Sequence, residues 1–429
     1  MNSKQRKVEI VLLILFFILL CTWAYVQKFG IPSDELLRFK MPEFIFKNHR
    51  LPTLYDKELY NANFGCPGYA AQPCLPYIVG AIFMGIASFL GVPASKLYFA
   101  PRMVSVLCGV VFLYLVFAIA KELIKDKDLS RLFVATIALW PLLCFIFTYV
   151  NCDSMAMVGN ALIVLNCIKG IRNQWKIKNC IGLGIGMAIV VLSYINGVGF
   201  VLAGAIIFIA SYIFESKKYG QMIGRGMIAF IIAAAGFFAH YGRMIWIYGS
   251  MMPTHITRKI NLAYDLKWHY GSDWRRQNAW NTMTSLKGLA KWVRTNLANF
   301  FGYFGSGEIH YPGIVYYVMI PIMVVLCILG VWFIIKRWKN IKTQNRILIV
   351  GWEIGCLITI GLSFWFCMFY DYTPQGRYSL PIIIPFALTI TYGIKQLCNI
   401  LKIKKLEIIT LIVCCTLLMA DLYAIFVLV

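Results

Sequence analysis

Apolar runs recur from one end of this chain to the other, each about twenty residues long, enough to cross a hydrocarbon core of ~30 Å. Only 14% of the residues are charged, against about a quarter in a soluble domain. The first run, 10–25, follows a basic N-terminus and lacks a small-residue cleavage site, so we interpret it as a retained helix. The chain is therefore predicted to be an all-α integral membrane protein.

The formal net charge of +23 lies mostly in short basic loops between the apolar runs. Charge in that position is typical of cytoplasmic loops, and it does not indicate a nucleic-acid-binding face. We therefore place six basic clusters on the cytoplasmic side, at 4–7, 121–131, 169–178, 217–225, 336–346 and 395–405.

These clusters constrain the number of crossings, because two clusters on one side must be separated by an even number of spans. Three apolar stretches, near 10–26, 74–91 and 101–120, separate the first two clusters. Prolines flank 74–91, and we assign it as an interfacial helix within a long outer loop. About eleven spans are then predicted, with the C-terminus outside, at 10–26, 101–120, 132–149, 154–168, 179–194, 197–214, 227–246, 313–335, 347–367, 379–394 and 407–427.

This topology places two long segments outside the membrane. We predict a transmembrane module at 1–246 that includes the outer loop 27–100, a long outer loop at 247–312, and C-terminal transmembrane helices at 313–429. The second loop is basic, and a loop of this length is largely exempt from the positive-inside rule, so its charge is available to a ligand. Cys66 and Cys74 share the first loop and can form a disulfide if that loop faces an oxidising space.

An acidic pair, Asp34 and Glu35, follows the first span at the outer boundary. In the simpler interpretation, Ser33 or Asp34 caps a short amphipathic helix. In the alternative, a carboxylate at the membrane–water boundary acts as a general base or binds a metal. The sequence leaves both interpretations open.

Two further outer turns carry polar groups. Asn151 and Asp153 lie between two apolar helices, where a short turn needs such residues in any case. Arg377 is out of place on the positive-inside rule, and it either binds a phosphate or snorkels at the interface. Arg102 and Arg243, also at outer helix ends, raise the same alternatives.

The second outer loop combines aromatic, basic and amide side chains around Trp268 and His269. Such a mixture suits a carbohydrate, with rings stacked on sugar faces, and equally suits a membrane-surface belt. Inside the spans we identify Glu353 and His240 as ionisable groups, and they form no regular series of buried charges. The pattern therefore argues against a proton-coupled transporter as the function.

Together these motifs resemble the GT-C superfamily of polytopic glycosyltransferases, which includes the protein O-mannosyltransferases and the lipid A aminoarabinose transferase. The acidic pair is similar to the superfamily's acidic motif after its first helix, and Arg102 to the arginine that opens its second span. Four other stretches look like its motifs and occur in the same order, namely 69–77, 151–153, 299–305 and 375–381 (Gln-Gly-Arg-Tyr-Ser-Leu-Pro). The resemblance covers residues 1–394.

This chain departs from the superfamily pattern at two places. Cys74 stands where relatives have the second proline of a Pro-Pro pair. The stretch 193–196 replaces a lysine that relatives often place at the outer end of the fifth span. These departures put the donor-phosphate contacts at that end in doubt, and with them the identity of the sugar or acceptor.

The resemblance implies transfer of a sugar, with inversion, from a polyprenyl-phosphate donor to a cell-envelope glycan, lipid or protein. It implies a bacterial cytoplasmic membrane, a cytoplasmic N-terminus and an active site on the outer face. A divalent metal such as Mg or Mn is compatible with the acidic residues. The candidate residues are Asp34, Glu35 and Asp153 for catalysis; Arg377, Arg102 and Arg243 for the donor phosphate; and Gln72, Tyr69, Asn151, Gln375, Tyr378, Trp268 and His269 for substrate binding.

Two alternative functions stay open. A polysaccharide polymerase or ligase would also have many helices and large outer loops, but it would take a diphosphate-linked glycan. A flippase or transporter would move a lipid-linked sugar without chemistry and would need polar residues through the midplane, which we do not find in the sequence.

Overall fold

The computed structural model describes residues 3–32, 34–61, 65, 68–266, 273–304 and 309–428. Within these ranges the chain is helical except for connecting turns and one antiparallel hairpin, Tyr303–Phe304 (β1) with Ile309–His310 (β2). The α-helices are α1 Ser3–Val26, α2 Glu35–Asn48, α3 Leu75–Phe89, α4 Phe99–Leu123, α5 Lys127–Ala138, α6 Pro141–Ile146, α7 Asp153–Arg172, α8 Ile177–Val191, α9 Val198–Ser211, α10 Tyr219–Phe237, α11 Arg243–Tyr248, α12 Thr254–Ala263, α13 Asp273–Met283, α14 Leu286–Gly302, α15 Gly313–Arg337, α16 Thr343–Phe369, α17 Ile383–Ile400 and α18 Leu406–Tyr423.

Every predicted span overlaps at least one helix. Within the described residues, nine helical segments are long and apolar enough to cross a membrane: α1, α4, α7, α9, α10 with α11, α15, α16, α17 and α18. The two remaining predicted spans are the broken pair α5–α6 and the 15-residue α8. The all-α membrane fold is thus confirmed, while the count of eleven depends on these two shorter elements.

The third predicted span is broken at Trp140 and Pro141. Proline has no N–H and disfavours helical geometry in the residue before it. Trp140 accordingly has an extended backbone, and α6 begins at Pro141. The Trp140 indole N–H donates to the Phe300 carbonyl at 2.6 Å, so the break also attaches α14 to this span.

Helix α3 corresponds to the stretch assigned as interfacial, and its contacts lie at one end of the helix bundle. The Leu75 amide donates to the Leu192 carbonyl just after α8. Gly80 packs against Pro101 at the start of α4, and Met84 packs against residues that precede α4 or open it. From Leu75 to Met84, α3 thus stays beside the end of α8 and the start of α4, as expected of a helix that lies at one end of the bundle.

The basic clusters occupy the opposite end. Helix α7 begins at Asp153 and ends at Arg172, so these two residues mark the two ends of the bundle. Ion pairs join helices at the Arg172 end: Glu9 with Lys121 at 2.6 Å, Glu122 with Arg172 at 2.8 Å, and Asp126 with Lys395 at 3.5 Å. Which end faces the cytoplasm stays a prediction.

Close packing of small residues joins α7 to α8. A Cβ on Gly159 would lie 2.9 Å from the Gly186 carbonyl oxygen, and the converse distance is also 2.9 Å. In lipid, helices associate largely through such close backbone approach, because the surrounding chains are as apolar as the side chains. This contact fixes the half of α7 that begins at Asp153 against α8.

One buried carboxylate was missed in the sequence. Asp421 lies in α18, fully buried, with Oδ2 3.8 Å from the Cys144 sulfur. Of the two ionisable groups that we had identified in spans, His240 is buried in a π-helical turn, Phe238–Gly242, and Glu353 is exposed on α16.

Candidate active site

Asp34 occupies the N-cap position of α2, but its carboxylate does not cap that helix. Its backbone is left-handed, with φ 66° and ψ 2°. Such conformations at non-glycine residues cost free energy and concentrate at functional sites. The carboxylate instead accepts a hydrogen bond from Arg377 Nη2 at 3.0 Å. Asp34 therefore has the N-cap position that the simpler interpretation predicts, but its side chain does not cap the helix. Ser33, the other predicted cap, lies outside the described residues.

Arg377 is buried in the short 3-10 helix Gly376–Ile382, which precedes α17. Nη2 donates to Asp34, and the Tyr149 and Tyr378 hydroxyls lie near enough to interact with the guanidinium. Nε and Nη1 nevertheless meet no acceptor at full hydrogen-bonding geometry within the described residues. A buried donor without a partner costs about 1–3 kcal/mol, more when it is charged. Two such nitrogens, which together carry three N–H groups, suit an anionic ligand.

The position of Arg377 depends on a close backbone approach by Gly376. A Cβ there would collide with the backbone nitrogen of Phe300 and would lie 2.6 Å from its Cα, on α14. The Arg377 amide also donates to the Asn299 side chain at 3.3 Å. The glycine of the Gln-Gly-Arg-Tyr stretch thus brings the arginine against α14.

We expect Gly376→Ala to lower the free energy of unfolding by roughly 1–3 kcal/mol, because overpacking forces α14 and the 3-10 helix apart. Thermal unfolding in detergent measures the change. Gly361→Ala on α16 is the matched control, since a Cβ there meets nothing within 4 Å. Equal melting temperatures for both variants would contradict the packing argument.

Asp153, the first residue of α7, is paired with an arginine that the sequence analysis missed. Arg38 Nη1 lies 3.3 Å from Asp153 Oδ2 and 2.9 Å from the Cys152 sulfur. The rings of Tyr69 and Tyr194 flank the Arg38 guanidinium, at 5.4 and 5.7 Å. One signal was available: Arg38 follows Asp34 by four residues, which places both on one face of a helix.

The two arginines determine the protonation of Asp34. Burial by itself raises the pKa of this carboxyl, but Arg377 and Arg38 outweigh burial and hold the pKa below its usual value. The Tyr69 hydroxyl donates to the same carboxylate, and burial raises the pKa of that hydroxyl. The site therefore contains an ionised Asp34 and a neutral Tyr69 at neutral pH.

Glu35 and Arg102 form a separate, fully buried pair. Arg102 Nε and Nη2 each donate to Glu35 at 2.7 Å, and its remaining N–H groups reach the carbonyls of Ala24, Gln27 and Lys28. Two bonds to Glu35 and three to carbonyls use all five N–H groups of a guanidinium. Arg102 therefore has no donor left for a phosphate, unlike Arg377.

Asn151 also makes internal bonds. Its amide nitrogen donates to the carbonyls of Ile146 and Tyr149, and its oxygen accepts from the Ser154 amide and hydroxyl. These bonds shape the turn that begins α7. Asn151 thus positions Asp153, and its own amide is occupied.

The remaining predicted residues have different surroundings. Arg243, on α11, donates to the Pro52 carbonyl at 2.8 Å and so supports the segment that follows α2. The Tyr378 ring centroid lies 5.4 Å from the Arg377 guanidinium, and Gln72 has a buried amide oxygen without a hydrogen bond in the described residues. Gln375, partly buried, directly precedes the 3-10 helix of Arg377. Trp268, His269 and Cys66 lie outside the described residues.

A divalent metal does not fit these donors. Mg²⁺ and Mn²⁺ need several oxygen ligands free of competing cations. Asp34 and Asp153 each face a guanidinium, and Asn151 is occupied. Across the described parts of the chain, no group of three or more His, Cys, Asp or Glu residues is arranged to hold a metal.

The helix order, the juxtamembrane pair α2–α3 and the site at the helix ends define a membrane protein of the GT-C fold. Solved structures of that fold superimpose on the whole chain or nearly so. The oligosaccharyltransferase of Archaeoglobus fulgidus in its apo form has a TM-score of 0.53 at 13% identity, covering 100% of this chain and 56% of that one. The chain belongs to the family described as Predicted membrane protein (DUF2142), whose sequence model matches residues 69–386.

Two further structures share the fold. AglB from A. fulgidus, in complex with an inhibitory peptide and a dolichol-phosphate, has a TM-score of 0.51 at 12% identity and the same coverages, 100% and 56%. ArnT from Cupriavidus metallidurans, bound to undecaprenyl phosphate, has a TM-score of 0.50 at 10% identity, covering 93% of this chain and 63% of its own. The chain thus spans between about half and two thirds of these proteins. No curated protein matches it by sequence.

Proposed function

We propose that this protein transfers a sugar from a polyprenyl-phosphate donor to an acceptor hydroxyl at the outer membrane surface. The observation that carries the proposal is the pair of Asp34 and Arg377, 3.0 Å apart, in which two nitrogens of the buried guanidinium, Nε and Nη1, lack a hydrogen-bond acceptor in the described residues. A carboxylate that can take a proton thus lies beside a cation that can bind a phosphate.

The chemistry follows from these two groups. The acceptor oxygen attacks the anomeric carbon opposite the phosphate, and the bond from that carbon to the phosphate oxygen breaks. The electron pair leaves with the phosphate, the hydroxyl proton passes to Asp34, and the new glycoside is inverted. Arg377 stabilises the charge that grows on the phosphate. As Arg377 turns to the phosphate, Asp34 loses part of its pairing and becomes a stronger base.

The fold and the membrane boundary support this assignment. A lipid donor stays in the bilayer, so its phosphate must meet the protein where helices end. Asp34, Asp153 and Arg377 are gathered at one such end. AglB has been solved with a dolichol-phosphate and ArnT with undecaprenyl phosphate, both polyprenyl phosphates, and a similar donor here is an inference from the shared fold. We leave Glu35, Arg102 and Asn151 out of the chemistry, because their polar groups are occupied.

Replacing Arg377 with alanine is expected to raise the apparent donor KM roughly 10- to 100-fold, the value of a hydrogen bond to a charged group. Initial rates against donor concentration measure this. Arg50→Ala is the matched control, since Arg50 lies in the first outer loop and pairs with Asp56 at the surface. An unchanged donor KM in the Arg377 variant would count against the phosphate assignment.

The deciding experiment incubates the purified protein with radiolabelled polyprenyl-phosphate sugars and cell-envelope fractions and identifies which label is transferred. Competition with diphosphate-linked lipids tests the polymerase or ligase alternative, which predicts that the diphosphate lipid is preferred. Reconstitution in liposomes tests the flippase alternative, which predicts movement of the lipid-linked sugar without new glycosidic bonds.

A further inference from the structure

Arg38 lies between the two candidate carboxylates. Its amide donates to the Asp34 carbonyl at 2.8 Å, which places it one helical turn after Asp34. Its guanidinium is buried, contacts Asp153 at 3.3 Å and is near enough to Asp34 to stabilise the ionised carboxylate. The Nε donor makes no hydrogen bond within the described residues.

A divalent cation held by Asp153 together with Asp34 would have to lie close to this guanidinium. A guanidinium there repels a metal ion and takes Asp153 Oδ2, an oxygen that the metal would need. Arg38 is also suited to the position, because a guanidinium stays charged when buried and is planar, so it stacks on aromatic rings. Tyr69 and Tyr194 supply those rings.

We propose that Arg38 is a positioning residue that acts as the fixed cation of this site, joining Asp34 and Asp153 in place of a divalent metal. If Arg38 has this role, sugar transfer needs no added Mg²⁺ or Mn²⁺. This catalytic consequence rests on the proposed function. Asp153 then orients Arg38, and Arg38 in turn orients the Asp34 carboxylate toward the acceptor hydroxyl.

The first test does not depend on activity. Electron paramagnetic resonance of the purified full-length protein, titrated with Mn²⁺ at micromolar concentrations, is expected to show no stoichiometric bound ion. One bound Mn²⁺ per chain in the wild type, lost in Asp153→Asn, would overturn the inference.

The second test measures transfer. Wild-type activity is expected to be unchanged by EDTA, whereas Arg38→Ala loses roughly a hundredfold, the effect of misplacing a catalytic group by about 1 Å. Millimolar guanidinium is expected to restore part of that loss. Arg38→Lys, which keeps the charge, is expected to retain more activity than Arg38→Ala, and Arg50→Ala is the control that leaves activity unchanged.

The outcomes separate the two proposals. Loss of wild-type transfer in EDTA, restored by Mn²⁺ or Mg²⁺, overturns the role of Arg38 and leaves the transferase standing. Absence of transfer from every polyprenyl-phosphate sugar overturns the transferase, and the Mn²⁺ titration then decides alone whether Arg38 takes the place of a metal.

Discussion

Asp34→Asn is expected to lower sugar transfer roughly 10²- to 10⁴-fold, the usual contribution of a positioned general base. The amide has nearly the same shape as the carboxylate, but it cannot accept the acceptor's proton. Transfer by the purified variant, at saturating donor, measures the effect. The variant is expected to stay folded, since the Asp34 side chain does not cap α2 and is partly exposed.

Glu43→Gln is the matched control for this prediction. It makes the same change of carboxylate to amide on α2, at a residue that pairs with Lys47 at the surface. Normal transfer by the control together with normal transfer by Asp34→Asn would remove Asp34 from the mechanism. Aggregation of Asp34→Asn in size-exclusion chromatography would instead indicate a structural role.

The lowered pKa of Asp34 also predicts the pH profile. Because Arg377 and Arg38 hold this carboxylate ionised below its ordinary range, transfer is not expected to fall between about pH 7 and pH 5 on account of Asp34. Loss of activity comes only as the pH falls through the lowered value. An acidic limb near pH 6 that is absent from Asp34→Asn would contradict this assignment.

Glu35→Ala is expected to destabilise the protein by about 3–5 kcal/mol, because it leaves the buried Arg102 charge without its carboxylate. Glu35 also accepts hydrogen bonds from the Gly30 and Val150 amides. The substitution therefore removes hydrogen bonds from the segment after α1 and from the turn before α7 as well. Thermal unfolding in detergent and the yield of monodisperse protein measure the effect.

A second variant separates charge from packing. Glu35→Leu with Arg102→Met replaces the pair by apolar side chains of similar size, and it is expected to recover much of the lost stability. Glu43→Ala is the surface control, because an exposed helical pair contributes only about 0.3–0.5 kcal/mol. If Glu35→Ala unfolds at the same temperature as Glu43→Ala, the pair does not stabilise the fold.

Much of the architecture was predictable from the sequence. Apolar runs separated by basic loops identify spans, since lipid excludes charge and the loops carry it. Counting crossings between basic clusters was enough to remove 74–91 from the spans, and the contacts of α3 agree. The break at Pro141 was also readable, but it was overlooked because the apolar composition continues through it.

The site was predictable only in outline. Asp34, Asp153 and Arg377 were selected because charge counting predicts that each lies at a helix end on the outer side. The roles within the acidic pair were not predictable: Glu35 is buried against Arg102, while Asp34 faces Arg377. The role of Arg38 was not predictable, because a basic residue on a juxtamembrane helix is common and no pattern distinguishes a functional one.

The sequence by itself thus determined the membrane class, the helix order and the gathering of the polar motifs at one end of the bundle. These features depend on local hydropathy and on whether an even or odd number of spans separates two segments. Tertiary structure decided that the Glu35 carboxylate is buried against Arg102, whereas the Asp34 carboxylate is available for chemistry beside Arg377. Asp34 and Arg377 are 343 residues apart, and their contact depends on how α2, α7 and α14 pack. Hydrogen bonds act over about 3 Å, so residue order cannot specify them until the helices are in place.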